Sequence, residues 1–328
     1  MFRGILVEKD GDGPQRARVT ELDDAALPPG DVTVRISHST VNYKDALGIT
    51  GKGAVLRAFP IVPGIDFAGV VEASTHVDFP EGAPVIGNGF GIGELTWGGL
   101  SQRARVPLSG VVLRPSSISP RNAMAIGTGG FTAMLSILAL ERHGLFPERG
   151  PVLVTGASGG VGSFSISLLS RLGYRVLAAT GRPEERDYLT RLGAAEIIER
   201  KELSSPGKPL AKERWAAVVD SVGSHTLVNA CAGTQRGGLV AACGLAQGMD
   251  FPATMAPFIL RGVSLLGIES MMLPREKRDA AWQRLAELAD PLWFDEVARD
   301  ISLAEAIPQS SELLAGKVRG RLVVDVNA

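Results

Sequence analysis

The sequence has 328 residues, 45% apolar and 21% charged, with 40 glycines and 20 prolines, enough chain for two domains with buried cores. A formal net charge of −1 gives no field that would favour nucleic acid or a membrane surface, and no basic stripe is visible. Two cysteines exclude a disulfide framework and a cysteine-rich zinc centre.

The opening MFRGILVEKDGDG lacks a long apolar stretch followed by a small-residue cleavage site, so no signal peptide and a cytoplasmic location are expected. Short apolar or alternating runs predict strands over 2–7, 31–36, 68–72 and 83–86. Turns rich in proline and glycine separate them, such as Pro28-Pro29-Gly30 and Pro80-Glu81-Gly82, which points to a β-rich domain. The texture changes near Pro120. The longest apolar stretch, 123–140, is interrupted by Gly127, Gly129 and Gly130, and reads as a loop entering a buried helix over 132–141 rather than a membrane span.

Strand and helix then alternate. Strands are expected over 151–155, 174–179, 195–198, 215–220 and 238–243, with helices over 161–172, 184–192 and 225–231. Continuous apolar strands between helices imply a parallel sheet covered on both faces, the α/β doubly wound class. The tail adds an amphipathic helix over 278–288 and a strand over 321–326, and is expected to pack back on the first domain. The domains are therefore drawn as 1–120, 121–261 and a returning 262–328.

The strand Pro151-Val152-Leu153-Val154-Thr155 runs directly into Gly156-Ala157-Ser158-Gly159-Gly160-Val161-Gly162-Ser163 and a helix. Small residues let the backbone approach a pyrophosphate, and the helix start offers free N–H groups. Ala157, Gly159 and Gly162 fall on the three glycine slots of the dinucleotide fingerprint, so the first glycine is replaced. The plain alternative is a glycine-rich turn without a ligand.

An NAD enzyme usually ends the next strand with a carboxylate for the ribose hydroxyls. Here it ends Thr180-Gly181-Arg182, and Arg200 follows the third strand. A guanidinium suits a 2′-phosphate, which predicts NADPH; the alternative is two solvated arginines. Asp220 either caps the loop after its strand or touches the cofactor region. His38, His76, His143 and His225 are scattered, with no partner at metal-ligand spacing, so no metal is expected. Hydride addition to a conjugated C=C needs no zinc, because the substrate carbonyl takes up the charge as an enolate.

Asn42-Tyr43-Lys44-Asp45 and Pro63-Gly64-Ile65-Asp66-Phe67-Ala68-Gly69 resemble the zinc-free quinone oxidoreductase-like branch of the medium-chain dehydrogenase/reductase superfamily. Trp97-Gly98-Gly99-Leu100, Ile126-Gly127-Thr128-Gly129-Gly130, Ala241-Ala242-Cys243-Gly244-Leu245 and Pro257-Phe258-Ile259-Leu260-Arg261 are similar to the acryloyl-CoA reductases of the AcuI/YhdH type. Asn42 and Ile65 stand at the superfamily's catalytic zinc positions.

The resemblance implies a GroES-like β-rich domain, a Rossmann domain, a cleft where they meet, a homodimer, and reduction of acryloyl-CoA to propanoyl-CoA. It places Tyr43 near the nicotinamide and Ser158, Gly159, Gly160 and Val161 at the pyrophosphate. It also places Thr180, Gly181, Arg182 and Arg200 at the 2′-phosphate, and Leu245, Ile259 and Ser270 on the nicotinamide side.

Hydride is expected at the β-carbon and a proton at the α-carbon, with Tyr43 as donor or as a packed ring. Lys44 and Asp45 are expected as an exposed local ion pair. Arg57, Arg261, Lys317, Arg319 and Arg321 are available for coenzyme A and stay unassigned. The competing readings are an NADPH-dependent quinone or enone reductase and an NADPH-binding protein without activity.

Overall fold

Valine and isoleucine alternate with polar residues through 32–40, and the computed structural model, which describes residues 1–11 and 13–328, shows this run as a strand buried on one face. The chain divides into two units, Met1–Thr128 with Ser270–Ala328, and Gly129–Glu269.

In the first unit, strands β1 (Phe2–Lys9) and β2 (Gln15–Leu22) form a hairpin. Next come β3 (Val32–Thr40), helix α1 (Tyr43–Thr50), β4 (Asp66–Ser74), β5 (Pro84–Asn88), β6 (Arg103–Val106) and β7 (Val111–Leu113). Helix α2 (Pro120–Arg142) carries the chain into the second unit. That unit holds β8 (Val152–Val154), α3 (Gly160–Arg171), β9 (Val176–Thr180), α4 (Arg186–Arg191) and β10 (Ala194–Glu199). It continues with β11 (Trp215–Asp220), α5 (Ser224–Gly233), β12 (Thr234–Ala242), α6 (Ala256–Arg261) and β13 (Ser264–Gly267). The returning segment adds α7 (Arg275–Leu288), α8 (Pro291–Val297), β14 (Ala298–Ser302), α9 (Ala306–Leu314) and β15 (Arg321–Asp325) to the first unit.

The large sheet of the first unit runs β14-β15-β3-β4-β5-β7, with β6 paired to β3. The last strand therefore sits beside β3, Val323 opposite Thr40. Val34, Ile36, Phe67, Val71, Phe79, Val85 and Val324 make its core. Fully burying a side chain of this size contributes about 2 kcal/mol relative to leaving it in water.

The sheet of the second unit is parallel throughout and runs β10-β9-β8-β11-β12-β13. Counted from its own first strand this is the order 3-2-1-4-5-6 of the Rossmann fold. The run WAAVVD of β11 is buried along its whole length because it has strands on both sides and helices over its faces.

Helix α2 begins earlier than the expected loop allowed. Ser119 Oγ accepts the Asn122 N–H at 3.1 Å and Pro120 takes the first helical position, so residues 120–126 are already helical. Gly127, at φ 47° and ψ −161°, interrupts the helix in a conformation that disfavours any side chain. By length and composition α2 could cross a membrane; most of it is buried inside the protein, as a core helix is.

Candidate active site

In the second unit, β8 delivers the chain to the glycine-rich turn, and Gly159 is the residue before α3. The first N–H bonded back within this helix is that of Ser163, to Gly159 O at 2.9 Å. The preceding N–H groups of Gly160, Val161 and Gly162 belong to the helix start, where backbone donors lack helical acceptors and attract an anion.

Thr180 ends β9 beside this turn, and its Oγ1 lies 3.4 Å from Ser158 Oγ. Arg182 reaches back over the same serine, Nη2 to Ser158 Oγ at 2.7 Å and to Ser158 O at 3.1 Å. Glu185 Oε1 stands 3.8 Å from Arg182 Nη1 and shares that guanidinium. Arg200, the residue after β10, lies against Gly181: a Cβ there would come 2.7 Å from its Cζ and Nε. Ser158, Thr180, Gly181, Arg182 and Arg200 are thus gathered at the strand ends. Two guanidiniums and two hydroxyls round a helix start are a donor set that fits a phosphorylated ribose and pyrophosphate.

The other expected residues of this unit are more dispersed. Leu245 is half exposed in the loop after β12, its Cα near Gly223. Ile259 is 71% exposed on α6. Asp220 resolves as a loop cap. Its Oδ2 accepts from Gly223 N at 2.8 Å and Val222 N at 3.2 Å, and its Oδ1 from Thr155 Oγ1 at 2.6 Å. Burial pushes its carboxyl up, against the bonds that hold it down.

In the first unit, Tyr43 opens α1 and is 42% exposed, and among the described residues its hydroxyl has no hydrogen-bond partner. Ser270 precedes Met271, whose Sδ is contacted by Lys44 Nζ, so it lies near the start of the same helix. The expected pair of Lys44 and Asp45 does not form. Lys44 Nζ instead meets Glu94 Oε1 at 2.7 Å. Asp45 is buried, because as the third residue of the helix it turns inward to accept from Asn42 N at 2.8 Å and Ile65 N at 2.9 Å.

Sequence reasoning missed what surrounds it. Asp66 Oδ2 accepts from Asn42 Nδ2 at 2.8 Å and Thr128 N at 2.7 Å, and Oδ1 from Thr128 Oγ1 at 2.6 Å. Arg321 is buried beside them, Nη1 to Asn42 Oδ1 and Nη2 to Thr40 Oγ1, each at 2.9 Å. Polar residues embedded in an apolar stretch, as in Pro63-Gly64-Ile65-Asp66-Phe67, were the available signal. Arg321 is thereby committed to the fold. So is Arg261, bonded to Ala232 O at 2.8 Å and Thr234 O at 3.2 Å and paired with Glu213. Lys317 pairs with Glu312, and Arg319 is exposed. Among the described residues no three His, Cys, Asp or Glu side chains are placed to hold a metal ion.

Two family models match the chain, the alcohol dehydrogenase GroES-like domain over residues 28–116 and the zinc-binding dehydrogenase domain over 160–287. The acrylyl-CoA reductase AcuI of Ruegeria pomeroyi is 48% identical over the full length of both chains. The YhdH oxidoreductase of Salmonella enterica, crystallised with NADP, is 46% identical with a TM-score of 0.97 over 99% of each chain. The YhfP protein of Bacillus subtilis, crystallised with NAD, is 40% identical with a TM-score of 0.94 over 99% of each. The chain belongs to the medium-chain dehydrogenase/reductase superfamily, in the family of the AcuI/YhdH acrylyl-CoA reductases.

Proposed function

We propose that this chain is an NADPH-dependent reductase of the C=C bond of acryloyl-CoA, giving propanoyl-CoA. The observation that carries the cofactor reading is the gathering of Ser158, Thr180, Arg182 and Arg200, with no carboxylate at the end of β9. The substrate reading rests on the full-length likeness to AcuI. Bound NADPH supplies the hydride that adds to the β-carbon.

The chain's residues have separate tasks in this reading. Ser158, Gly159, Gly160 and Val161 hold the pyrophosphate at the start of α3, and Thr180, Gly181, Arg182 and Arg200 the 2′-phosphate. Leu245, Ile259 and Ser270 flank the nicotinamide. Tyr43 Oη gives or orients the proton at the α-carbon; the residue's exposure and the lack of a hydrogen-bond partner for its hydroxyl among the described residues support that role. Residues 1–120 and 262–328 act as the substrate domain and 121–261 as the cofactor domain. The enzyme works without zinc, in line with Asn42 and Ile65 at the positions that would carry ligands.

A cytoplasmic homodimer completes the reading. Strand β13 is an edge of its sheet with Leu265 partly exposed, and α6 exposes Leu260, a surface a second copy would cover.

The test is the loss of NADPH absorbance with acryloyl-CoA, beside NADH and beside a simple quinone. Fast turnover with NADPH and acryloyl-CoA alone is expected. Turnover with quinone only would make the chain a quinone reductase, and equal use of NADH, whose oxidised form NAD is bound in the YhfP structure, would remove the role given to Arg182.

A further inference from the structure

The chain leaves β9 through one tight turn ahead of α4. Arg182 precedes that turn, Pro183 takes its first position, and Glu185 N donates to Arg182 O at 3.1 Å. Side chains three residues apart in such a turn rise on the same side. Glu185 Oε1 therefore stands 3.8 Å from Arg182 Nη1, with only 13% of its side chain exposed.

Arg182 does not need Glu185 to keep its place. Its own N–H donates to Thr180 Oγ1 at 3.1 Å, and Nε and Nη2 reach Ser158 Oγ at 3.1 and 2.7 Å. Another acid of this corner, Glu199, lies opposite Thr180 in the register of β9 and β10. Its side chain is 62% exposed and pairs with Lys201. Glu185 is the more shielded of the two carboxylates, and it stands against the arginine assigned to the 2′-phosphate.

We infer that Glu185 is a specificity-determining residue, which holds the selection of NADPH over NADH below what Arg182 and Arg200 would give without it. This rests on the 2′-phosphate reading above. Two effects act with the same sign. The carboxylate competes with the phosphate for the Arg182 guanidinium, and it repels the dianion directly. The ribose hydroxyl of NADH is uncharged, so neither effect reaches that cofactor. Two anions bridged by one guanidinium sit roughly 7 Å apart, where repulsion of a dianion changes affinity about sevenfold even at the dielectric constant of water. Removing the charge of Glu185 while keeping its shape therefore tightens the phosphorylated nucleotide alone.

The experiment titrates wild type, Glu185→Gln and Glu185→Asp with adenosine 2′,5′-bisphosphate and with adenosine 5′-monophosphate. Both ligands lack nicotinamide and acyl group, so the result stands apart from the substrate assignment. The readout is the preference for the bisphosphate, the ratio of the two Kd values. In Glu185→Gln the bisphosphate is expected to bind about fivefold to tenfold more tightly with the monophosphate unchanged, while Glu185→Asp, which keeps the charge, stays near wild type. A preference in Glu185→Gln no greater than that of wild type, or a change shared by both ligands, would overturn this inference alone. So would a Glu185→Asp preference raised as far as that of Glu185→Gln. A wild type that binds the two nucleotides equally would overturn the 2′-phosphate reading, and this inference with it.

Discussion

Arg321 Nη1 lies 2.9 Å from Asn42 Oδ1, although 279 residues separate the two in the chain. The contact belongs to a buried cluster in which Asp66 Oδ2 lies 3.9 Å from Arg321 Nη2 and Asn42 Nδ2 donates to both Asp45 and Asp66. Burial pushes the Asp45 carboxyl up to about 7; the charge of Asp66 adds to this, and bonds from Asn42 and Ile65 oppose it.

That value fixes a pH dependence. From the ordinary value of 3.8 up to about 7 the folded chain holds a proton on Asp45 that the unfolded chain has lost. The stability owed to this group therefore falls as pH rises through that window. Thermal midpoints of wild type, taken relative to Asp45→Asn, are expected to decline from about pH 5 to about pH 8. A constant difference would mean that Asp45 titrates as an ordinary carboxylate.

Tyr43→Phe separates the two tasks given to the ring. If the hydroxyl delivers the proton, turnover at saturating acryloyl-CoA drops on the order of a hundredfold while KM for NADPH holds. Unchanged turnover would reduce Tyr43 to a packing surface.

Cofactor choice is expected to weaken from two directions. Arg182→Ala removes a charged donor and lowers the preference for NADPH over NADH by roughly 30-fold, from about 2 kcal/mol of charge-assisted bonding. Gly181→Ala leaves both arginines in the sequence but pushes the Arg200 guanidinium aside, since its Cβ would stand 2.7 Å from Cζ. It should raise KM for NADPH with kcat little altered. Preference ratios equal to wild type in both variants would displace the 2′-phosphate from this corner.

Arg278 is a stability residue. It is 1% exposed on α7, donates to Asn88 O and Gly110 O at 3.1 Å each and to Ser109 O, and lies over the Phe90 ring at 5.4 Å. Burial pulls its guanidinium down to about 10, so it stays charged at neutral pH. Arg278→Met strands those carbonyls and should cost on the order of 3 kcal/mol, read as a lower urea midpoint at unchanged slope. An unshifted midpoint would show that the carbonyls find other donors.

Neither thiol should be reactive. Burial first, and the charge of Asp220 second, push Cys231 and Cys243 each up to about 12. The thiolate is the nucleophile, so native enzyme at about pH 8 should gain no mass from iodoacetamide while denatured enzyme gains two labels. Rapid labelling of native Cys243 would contradict its environment.

The parts legible in the sequence were those written locally. The strand Trp215–Asp220 stands out as a continuous apolar run, and the turn at 156–163 announces itself between a strand and a helix. Strand β2 is hard to read because Arg16 and Arg18 dominate it, although Ala17 and Val19 pack against the core. Helix α1 is short and carries Gly48; inward hydrogen bonds of Asp45 help to define it. The spacing of Thr180, Arg182 and Arg200 could be read in advance, but not that Arg182 would fold back on Ser158 and share Glu185. Contacts such as Asn42 with Arg321 depend on distant segments, which local pattern does not encode.

The place of β15 between β14 and β3 has a consequence for biosynthesis. While the ribosome is making residues 270–320, the Rossmann unit is already fully written, yet the earlier unit lacks its closing strand. Thr40 and Asn42 then wait, without their guanidinium, for a residue made 279 positions after Asn42. The half of the protein that starts first can only finish last, so the nascent chain carries an incomplete sheet edge until its final strand emerges.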